Sequence, residues 1–451
     1  TPQMVLLESA NPETQANRQL KLAKSNRTAT VAVLKETRAG IPLSATVPAP
    51  LNSPLRLETA IIKRSSKLDL TAKLLELPGA VEMIKLPDVK LNVGLNLESN
   101  PEYDNPMLLR DPEKRKGKIE QLGGSDKTEE AIKRALDWFT RNQEGDGRWS
   151  IGKHGGQKNH DIAATSFAVL CYFGWGIKHN QSGKPDKHQK TVQKALKWLV
   201  DNMGKAGDFT NGQGNGMYDQ GVATMALAEA YGLTKDPVLK KPLERAVRFI
   251  IEAQNQKHGA WDYRPKSNRI DTSVSGWQIM ALRSARMAGI KIEDRPFQLA
   301  VKWLDAIGAG QNRGLYGYDS RRYKSDAMVA EGLFAQQLLG TPPSHARMKE
   351  SINHVASKPP KKSKRDFYYW YYGCLSLYQN QGPAWDEWNA RIKPIWLDLQ
   401  VKNGPNSGSW DHNKGGSHME AMGRVITTAL ATLSLEVYYR YLPLYTFGHE
   451  E

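Results

Sequence analysis

The chain has 451 residues, 39% hydrophobic and 24% charged, with a mean hydropathy of -0.58. No stretch approaches the roughly 18 uninterrupted apolar residues of a membrane helix, so a transmembrane segment is not expected. Lys and Arg number 63 against 47 Asp and Glu, a formal net charge of +16, which suits an anionic surface partner. No nucleic-acid-binding motif accompanies that charge, so no specific nucleic acid is expected.

Residues 1–125 contain no Trp, whereas all 12 occur from Trp138 onward. Proline punctuates this first part at Pro42, Pro48, Pro50, Pro78 and Pro87, which breaks helices and suits extended or linker structure. Residues 91–97 alternate apolar and polar with period two, a short-strand pattern, and residues 68–77 could form one helix. The expectation is an N-terminal arm over 1–125, mostly irregular or extended, with a charged hinge near residues 111–118. The chain opens at Thr1 without an apolar signal segment. That leaves two places open: exported, if a targeting peptide was removed, or cytoplasmic.

From Ser125 the texture changes. Ser125 with Thr128 and Glu129 predicts a helix start, followed by an apolar stripe of Ala131, Ile132, Ala135, Leu136 and Phe139. The same amphipathic sentence recurs around Trp138, Trp198, Phe249 and Trp303, at intervals of 60, 51 and 54 residues. Weaker copies fall near residues 352–355 and 395–397. Between them lie helices that are small and apolar nearly all round, opening at Asp161, Asp219, Asp271 and Asp326, then near Tyr369 and near Arg424. A helix apolar on every side must be buried, while an amphipathic one can face water. Two alternating sets with a period near 50 residues predict helical hairpins, six of them, with an inner and an outer ring. Neither end carries a polar capping repeat, which favours a closed ring over an open solenoid. The expected fold class is therefore all-α, an (α/α)6 toroid over residues 126–445, with a short tail at 446–451. Cys171 and Cys374 both lie inside apolar helical segments and read as small buried hydrophobes rather than a disulfide.

The loops carry a family likeness. Gln143 leads to Gly147 and Trp149, Gln254 to Gly259 and Trp261, and Gln400 to Gly408 and Trp410. These resemble the QW repeats of squalene and oxidosqualene cyclases, a resemblance that implies an α/α toroid. Physically, Gly permits a tight turn, Trp packs over the hairpin end and Gln ties helix end to loop. A second resemblance is to the β subunits of protein prenyltransferases, through Arg365-Asp366-Phe367-Tyr368 followed by Tyr369. In that family the next position is a zinc-binding His, and the other ligands are an Asp and a Cys two residues later. Here Tyr369 replaces the His, and Met328 follows Asp326 where the Cys would stand. Tyr and a thioether are poor zinc ligands, so no metal or other cofactor is expected. Terpene cyclases of the acid-initiated class need an Asp-x-Asp-Asp-type acid, and Ile270-Asp271-Thr272-Ser273 supplies one carboxyl.

The candidate catalytic residues are accordingly Asp271 and Asp326. Asp161 and Asp219 join them as cavity candidates, because four Asp at inner-helix starts could ring one mouth. Each is also a good helix cap, the blander reading. The run Tyr368, Tyr369, Trp370, Tyr371 and Tyr372 is the second candidate for the cavity, as an aromatic wall for an apolar, cationic or sugar ligand, against simple ring packing. Asp411, His412, His418 and Glu420 form a His-rich loop with no standard metal spacing. Lys358, Lys361, Lys362, Lys364 and Arg365 make a basic loop before the aromatic helix, either merely solvated or attractive to an anion. The expected function is a toroid that holds an apolar or isoprenoid-like ligand, or a partner, in its aromatic cavity. The alternative is an enzyme of unrecognised type using cavity Asp and Tyr residues. Oligomeric state is not legible.

Overall fold

The computed structural model describes residues 110–440, apart from 116–118, 158, 213, 322–324 and 417. The arm expected over residues 1–125, with its strand and helix, lies outside the described residues as far as residue 109, and so does the tail. Twelve helices of two or more turns build the rest. In chain order these are α1 Asp126–Arg141, α2 Asp161–Gly174, α3 Lys187–Asp201, α4 Met217–Thr234, α5 Pro237–Ala253 and α6 Thr272–Met287. They continue as α7 Arg295–Ile307, α8 Asp326–Leu338, α9 Ala346–Ala356, α10 Phe367–Asn380, α11 Pro383–Leu399 and α12 Met419–Leu435.

The odd-numbered helices are amphipathic. In α1 the buried stripe is Ala131, Ile132, Ala135, Leu136, Trp138 and Phe139, and Ser125 opens the helix with a capping box to Thr128. The even-numbered helices are buried on nearly every side; α10 is buried from Phe367 to Gln379. Each even helix packs on the next, α2 on α4, α4 on α6, α6 on α8, α8 on α10, α10 on α12, and α12 closes back on α2. Six hairpins therefore form an inner ring inside an outer one. The fold is an α/α toroid.

Three loops repeat one arrangement. Gln143, Gln254 and Gln400 each donate through Nε2 to the carbonyl of their own loop glycine, Gly147, Gly259 or Gly408, at 2.8–2.9 Å. The same amide reaches a carbonyl near the start of the next outer helix: Thr191 of α3, Pro296 of α7 and, for Gln400, Ala131 of α1. Trp149, Trp261 and Trp410 then donate their indole N–H to carbonyls at the ends of their own outer helices, at 2.8–3.0 Å. Gly259 is required twice over. Its φ of +79° is left-handed, and any Cβ would collide with the Leu299 carbonyl of α7. A fourth loop uses different parts for the same job: Phe209 stands for Trp, and Gln220 of inner helix α4 bonds the carbonyls of Gly207 and Ala246. Replacing Gln400 by Leu removes two buried carbonyl partners at the seam between last and first hairpins. It should lower the unfolding free energy in urea by on the order of 2 kcal/mol; an unchanged midpoint would refute a role in closure.

All inner helices run the same way, so their starts share one face. There the segments join hands: Met217 N–H bonds Tyr263 O, Thr272 N–H bonds Tyr318 O, Phe367 N–H bonds Gly415 O, and Gln157 N–H bonds Ala421 O. At the opposite end, Glu229 of α4 is buried between Arg110 and Arg440, accepting from their guanidinium groups at 2.7 and 2.8 Å. Arg110 also donates to the Arg440 carbonyl, and Arg115 donates to the carbonyls of Arg110 and Trp175 while lying over the Trp175 ring. A segment expected to belong to the arm thus contributes buried side chains to the toroid. Burial raises the Glu229 pKa, but the two guanidinium groups outweigh it and hold the carboxyl below its usual value. Glu436, buried beside them with neither oxygen hydrogen-bonded among the described residues, is pushed well up by desolvation.

Candidate functional site

Asp271 caps α6. Its backbone is extended, its N–H is fixed to the carbonyl of Trp261, and its Oδ1 accepts from Val274 N at 3.1 Å and Ser273 Oγ at 2.6 Å. The side chain is fully buried, and Oδ2 accepts no hydrogen bond among the described residues. Desolvation, only partly offset by the two hydrogen bonds, pushes this carboxyl up to about 7.

A second carboxyl faces the same region. Glu331, on the next inner helix α8, is buried and accepts from the Tyr368 hydroxyl at 3.2 Å, while the Tyr372 hydroxyl lies nearby and donates to Met280 Sδ. Burial first, and then the charge of Asp271, push Glu331 well above the usual carboxylate range against the pull of those two hydroxyls. Gly276 of α6 makes the room, since a Cβ there would strike the Glu331 carboxyl. No Lys or Arg hydrogen-bonds either carboxyl among the described residues. Tyr218 contacts the Ser273 hydroxyl, linking α4 to the pair, and half-buried Tyr263 and Tyr318 meet through their hydroxyls. Trp277 donates to Tyr368 at 3.3 Å, stacks on Tyr371 with centroids 5.8 Å apart, and takes the edge of Phe167 at 5.1 Å. Glu331 thus places a second buried carboxyl on the inner helix next to that of Asp271.

Asp219 is adjacent but differently employed. It does not cap its own helix; Oδ1 accepts from Ala163 N of α2 at 2.8 Å, and Oδ2 meets His160 Nδ1 at 2.7 Å. His160 Nε2 in turn meets Asn215 Nδ2 at 2.8 Å. Burial disfavours the imidazolium, yet the hydrogen bond and charge of Asp219 outweigh it and raise His160.

The remaining candidates separate from this group. Asp161 is the first residue of α2 and is tied to Ile151 N at 2.8 Å and to Arg148. Asp326 follows the Ser325 cap and is held at 2.9 Å by His354 of outer helix α9, which lowers its pKa. The four Asp therefore do not converge. Within the aromatic run, Tyr368, Tyr371 and Tyr372 face Trp277, as i, i+3 and i+4 positions must share a side. Tyr369 turns outward to the carbonyls of Val355 and Lys358, and Trp370 packs against Trp396 of α11. With Tyr369 bonded to carbonyls and Asp326 to His354, the residues at the prenyltransferase zinc positions do not fit a zinc ion. Among the described residues no group of three His, Cys, Asp or Glu gathers to hold a metal. Asp411 pairs with Arg424 at 3.2 Å.

Glu331 is the functional candidate that sequence reasoning missed. Its signal was present: a Glu in the middle of a helix apolar all round, and so certain to be buried.

No family model and no curated protein matches the chain. Solved structures do resemble it. An alpha-1,6-mannanase from Salegentibacter sp. HEL1_6, solved with alpha-1,6-mannotetrose, is 14% identical, covering 70% of this chain and 99% of its own, with a TM-score of 0.48. A cellobiose 2-epimerase from Bacillus thermoamylovorans B4167 is 11% identical, over 67% and 96% of the two chains, at 0.48. A type II terpene cyclase from Scytonema, solved with geranylgeranyl dihydroxybenzoate, is 12% identical, over 70% and 98%, at 0.45. The identities are too low to carry a reaction across.

Proposed function

We propose that the Asp271–Glu331 region is an acid–base catalytic site for an uncharged, hydroxyl-bearing ring such as a sugar. The observation that carries this reading is the buried carboxyl pair, with Asp271 Oδ2 unbonded among the described residues. Two carboxyls whose surroundings push their pKa values apart can hold opposite protonation states at one pH. Here burial pushes Glu331 well above the usual carboxylate range, which suits a donor, while Asp271, pushed up to about 7, can accept. Tyr218, Ser273 and Tyr368 add hydroxyls for orientation, and Trp277 with Phe167 offers ring faces. The absence of any Lys or Arg bonded to the pair, among the described residues, favours a neutral reacting unit over a phosphate.

Incubation with a panel of oligosaccharides, followed by mass spectrometry of the products, tests the reading. Turnover should fall by about a hundredfold or more in both Asp271→Asn and Glu331→Gln. Binding without turnover by the unaltered protein would refute it. A second reading, an isoprenoid-like ligand held without chemistry, is favoured by the Trp277–Tyr371–Tyr372–Phe334 wall. Native mass spectrometry showing a retained lipid would support that reading instead.

A further inference from the structure

The two faces of the toroid differ in charge far more than the chain's overall excess requires. The six connections that lead from outer to inner helices cover residues 142–160, 202–216, 254–271, 308–325, 357–366 and 400–418. Together their described residues hold 16 Lys and Arg against 8 Asp and Glu. The five that lead from inner back to outer helices, 175–186, 235–236, 288–294, 339–345 and 381–382, hold 4 against 4. Among these eleven connections the imbalance therefore lies wholly on the face where the inner helices begin, which is the face nearest Asp271. Several of its acidic groups are also masked: Asp262 and Asp271 are buried, and Asp411 is paired with Arg424.

Exposed basic groups are spread around this face. Lys153, Lys205, Lys257, Arg313 and Lys414 each stand on a different connection, with Lys153 paired to Glu144 at 2.9 Å. The fifth connection is the densest. A Lys361–Lys364 bridge folds it into a tight turn that exposes Lys358, Lys361, Lys362 and Lys364, and Arg365 fastens the turn to the carbonyl of Lys414 on the next connection. Of these, Lys362 forms an ion pair, with Asp398 of α11.

A ring of positive charge around a site without a bonded cation sets two demands on one ligand. Its body must be anionic, and the unit that reaches Asp271 and Glu331 must be neutral. We propose that this face binds an anionic polysaccharide whose charged groups are spaced by uncharged sugar units. The rim holds the charged units while a neutral unit enters the central site. Nucleic acid meets the demands less well, because every unit of its backbone carries a phosphate. This inference rests on the acid–base reading for the neutral unit, whereas its electrostatic half stands independently. Long-range attraction of this kind raises association rates and is screened by salt.

The test uses the full chain and a fluorescent hyaluronan oligosaccharide, in which uronate alternates with a neutral sugar. Neutral dextran and single-stranded oligothymidylate serve as comparisons. Hyaluronan should bind and dextran should not, with affinity falling about tenfold or more between about 50 and about 200 mM salt. Combined Lys361→Glu, Lys362→Glu and Lys364→Glu changes should weaken binding about tenfold at an unchanged melting temperature. The corresponding Gln set should give a smaller loss in the same direction. Lys178→Glu with Lys184→Glu, on the opposite face, should leave binding as it was. Oligothymidylate binding as tightly as hyaluronan would overturn the polysaccharide assignment in favour of nucleic acid. Failure of every polyanion to bind, or equal losses from both faces, would overturn the surface itself. Asp271→Asn separates this inference from the catalytic reading, because it should abolish turnover while leaving hyaluronan affinity intact. Turnover unaffected by that change would sink the catalytic reading alone.

Discussion

Glu229→Gln should cost about 3–5 kcal/mol of unfolding free energy, the range for removing one partner of a buried ion pair. The amide keeps the size of the side chain but withdraws the charge that Arg110 and Arg440 share. Both guanidinium groups would then be left buried without their carboxylate, and neither can shed its proton. Glu436 makes the expectation sharper. Burial pushes its carboxyl well up against the pull of the arginines, so Glu436→Gln alone should be much the milder change. In the Glu229→Gln background, however, Glu436 can ionise and replace part of the missing charge. The double variant should therefore be less stable than the sum of its singles, by about 1 kcal/mol or more in a denaturant cycle. Simple additivity would show that Glu436 does not communicate with the arginines.

Asp271→Asn should do the opposite, trading activity for stability, and the gain should grow with pH. The sign follows from linkage. A carboxyl whose folded pKa is about 7 and whose unfolded value is near 4 binds its proton more tightly in the folded state. Its stabilising effect is full below the unfolded value and is lost as pH rises towards 7. That difference in proton affinity corresponds to roughly 4 kcal/mol, of which about 2–3 kcal/mol disappears between about pH 5 and about pH 8. Asn retains an oxygen to accept from Val274 N and Ser273 Oγ, so the helix cap survives. Melting curves of the variant and the parent should thus diverge over that interval, with the variant higher at its alkaline end. Parallel curves would mean that Asp271 titrates normally, and the catalytic assignment would lose its physical basis.

The ring was legible in the sequence for specific reasons. The recurring Trp138, Trp198, Phe249 and Trp303 mark one face of successive outer helices, and the Asp-initiated segments lack any polar face. Those two patterns cannot coexist except as hairpins with one set buried. Three loops were readable because Gln, Gly and Trp each meet a separate geometric demand. The fourth was not, because Gln220 meets the same demand from a different helix. The candidate site was half legible. Asp271 announced itself as a helix start, whereas its partner Glu331 lies 60 residues away and is brought close only by ring packing. The Asp residues were harder to rank, since a cap for its own helix, a cap for a neighbour and a partner for His354 look identical in sequence. The aromatic run divided for a simple reason: on a helix that touches both rings, residues 369 and 370 must point where 368, 371 and 372 do not.

The contact between Gln400 and Ala131 has a consequence for how the molecule comes into being. Hydrogen-bonded residues 269 positions apart cannot meet until almost the whole domain has left the ribosome. In an open stack each new hairpin can settle on the one before it, and growth could stop after any repeat. Here the first hairpin keeps an uncovered flank throughout synthesis, waiting for the last, and that flank is sticky in the meantime. Assembly should therefore end in a late, cooperative locking step rather than a gradual accretion. The same arithmetic restrains the lineage: a hairpin gained or lost by duplication would leave the circle unable to meet itself.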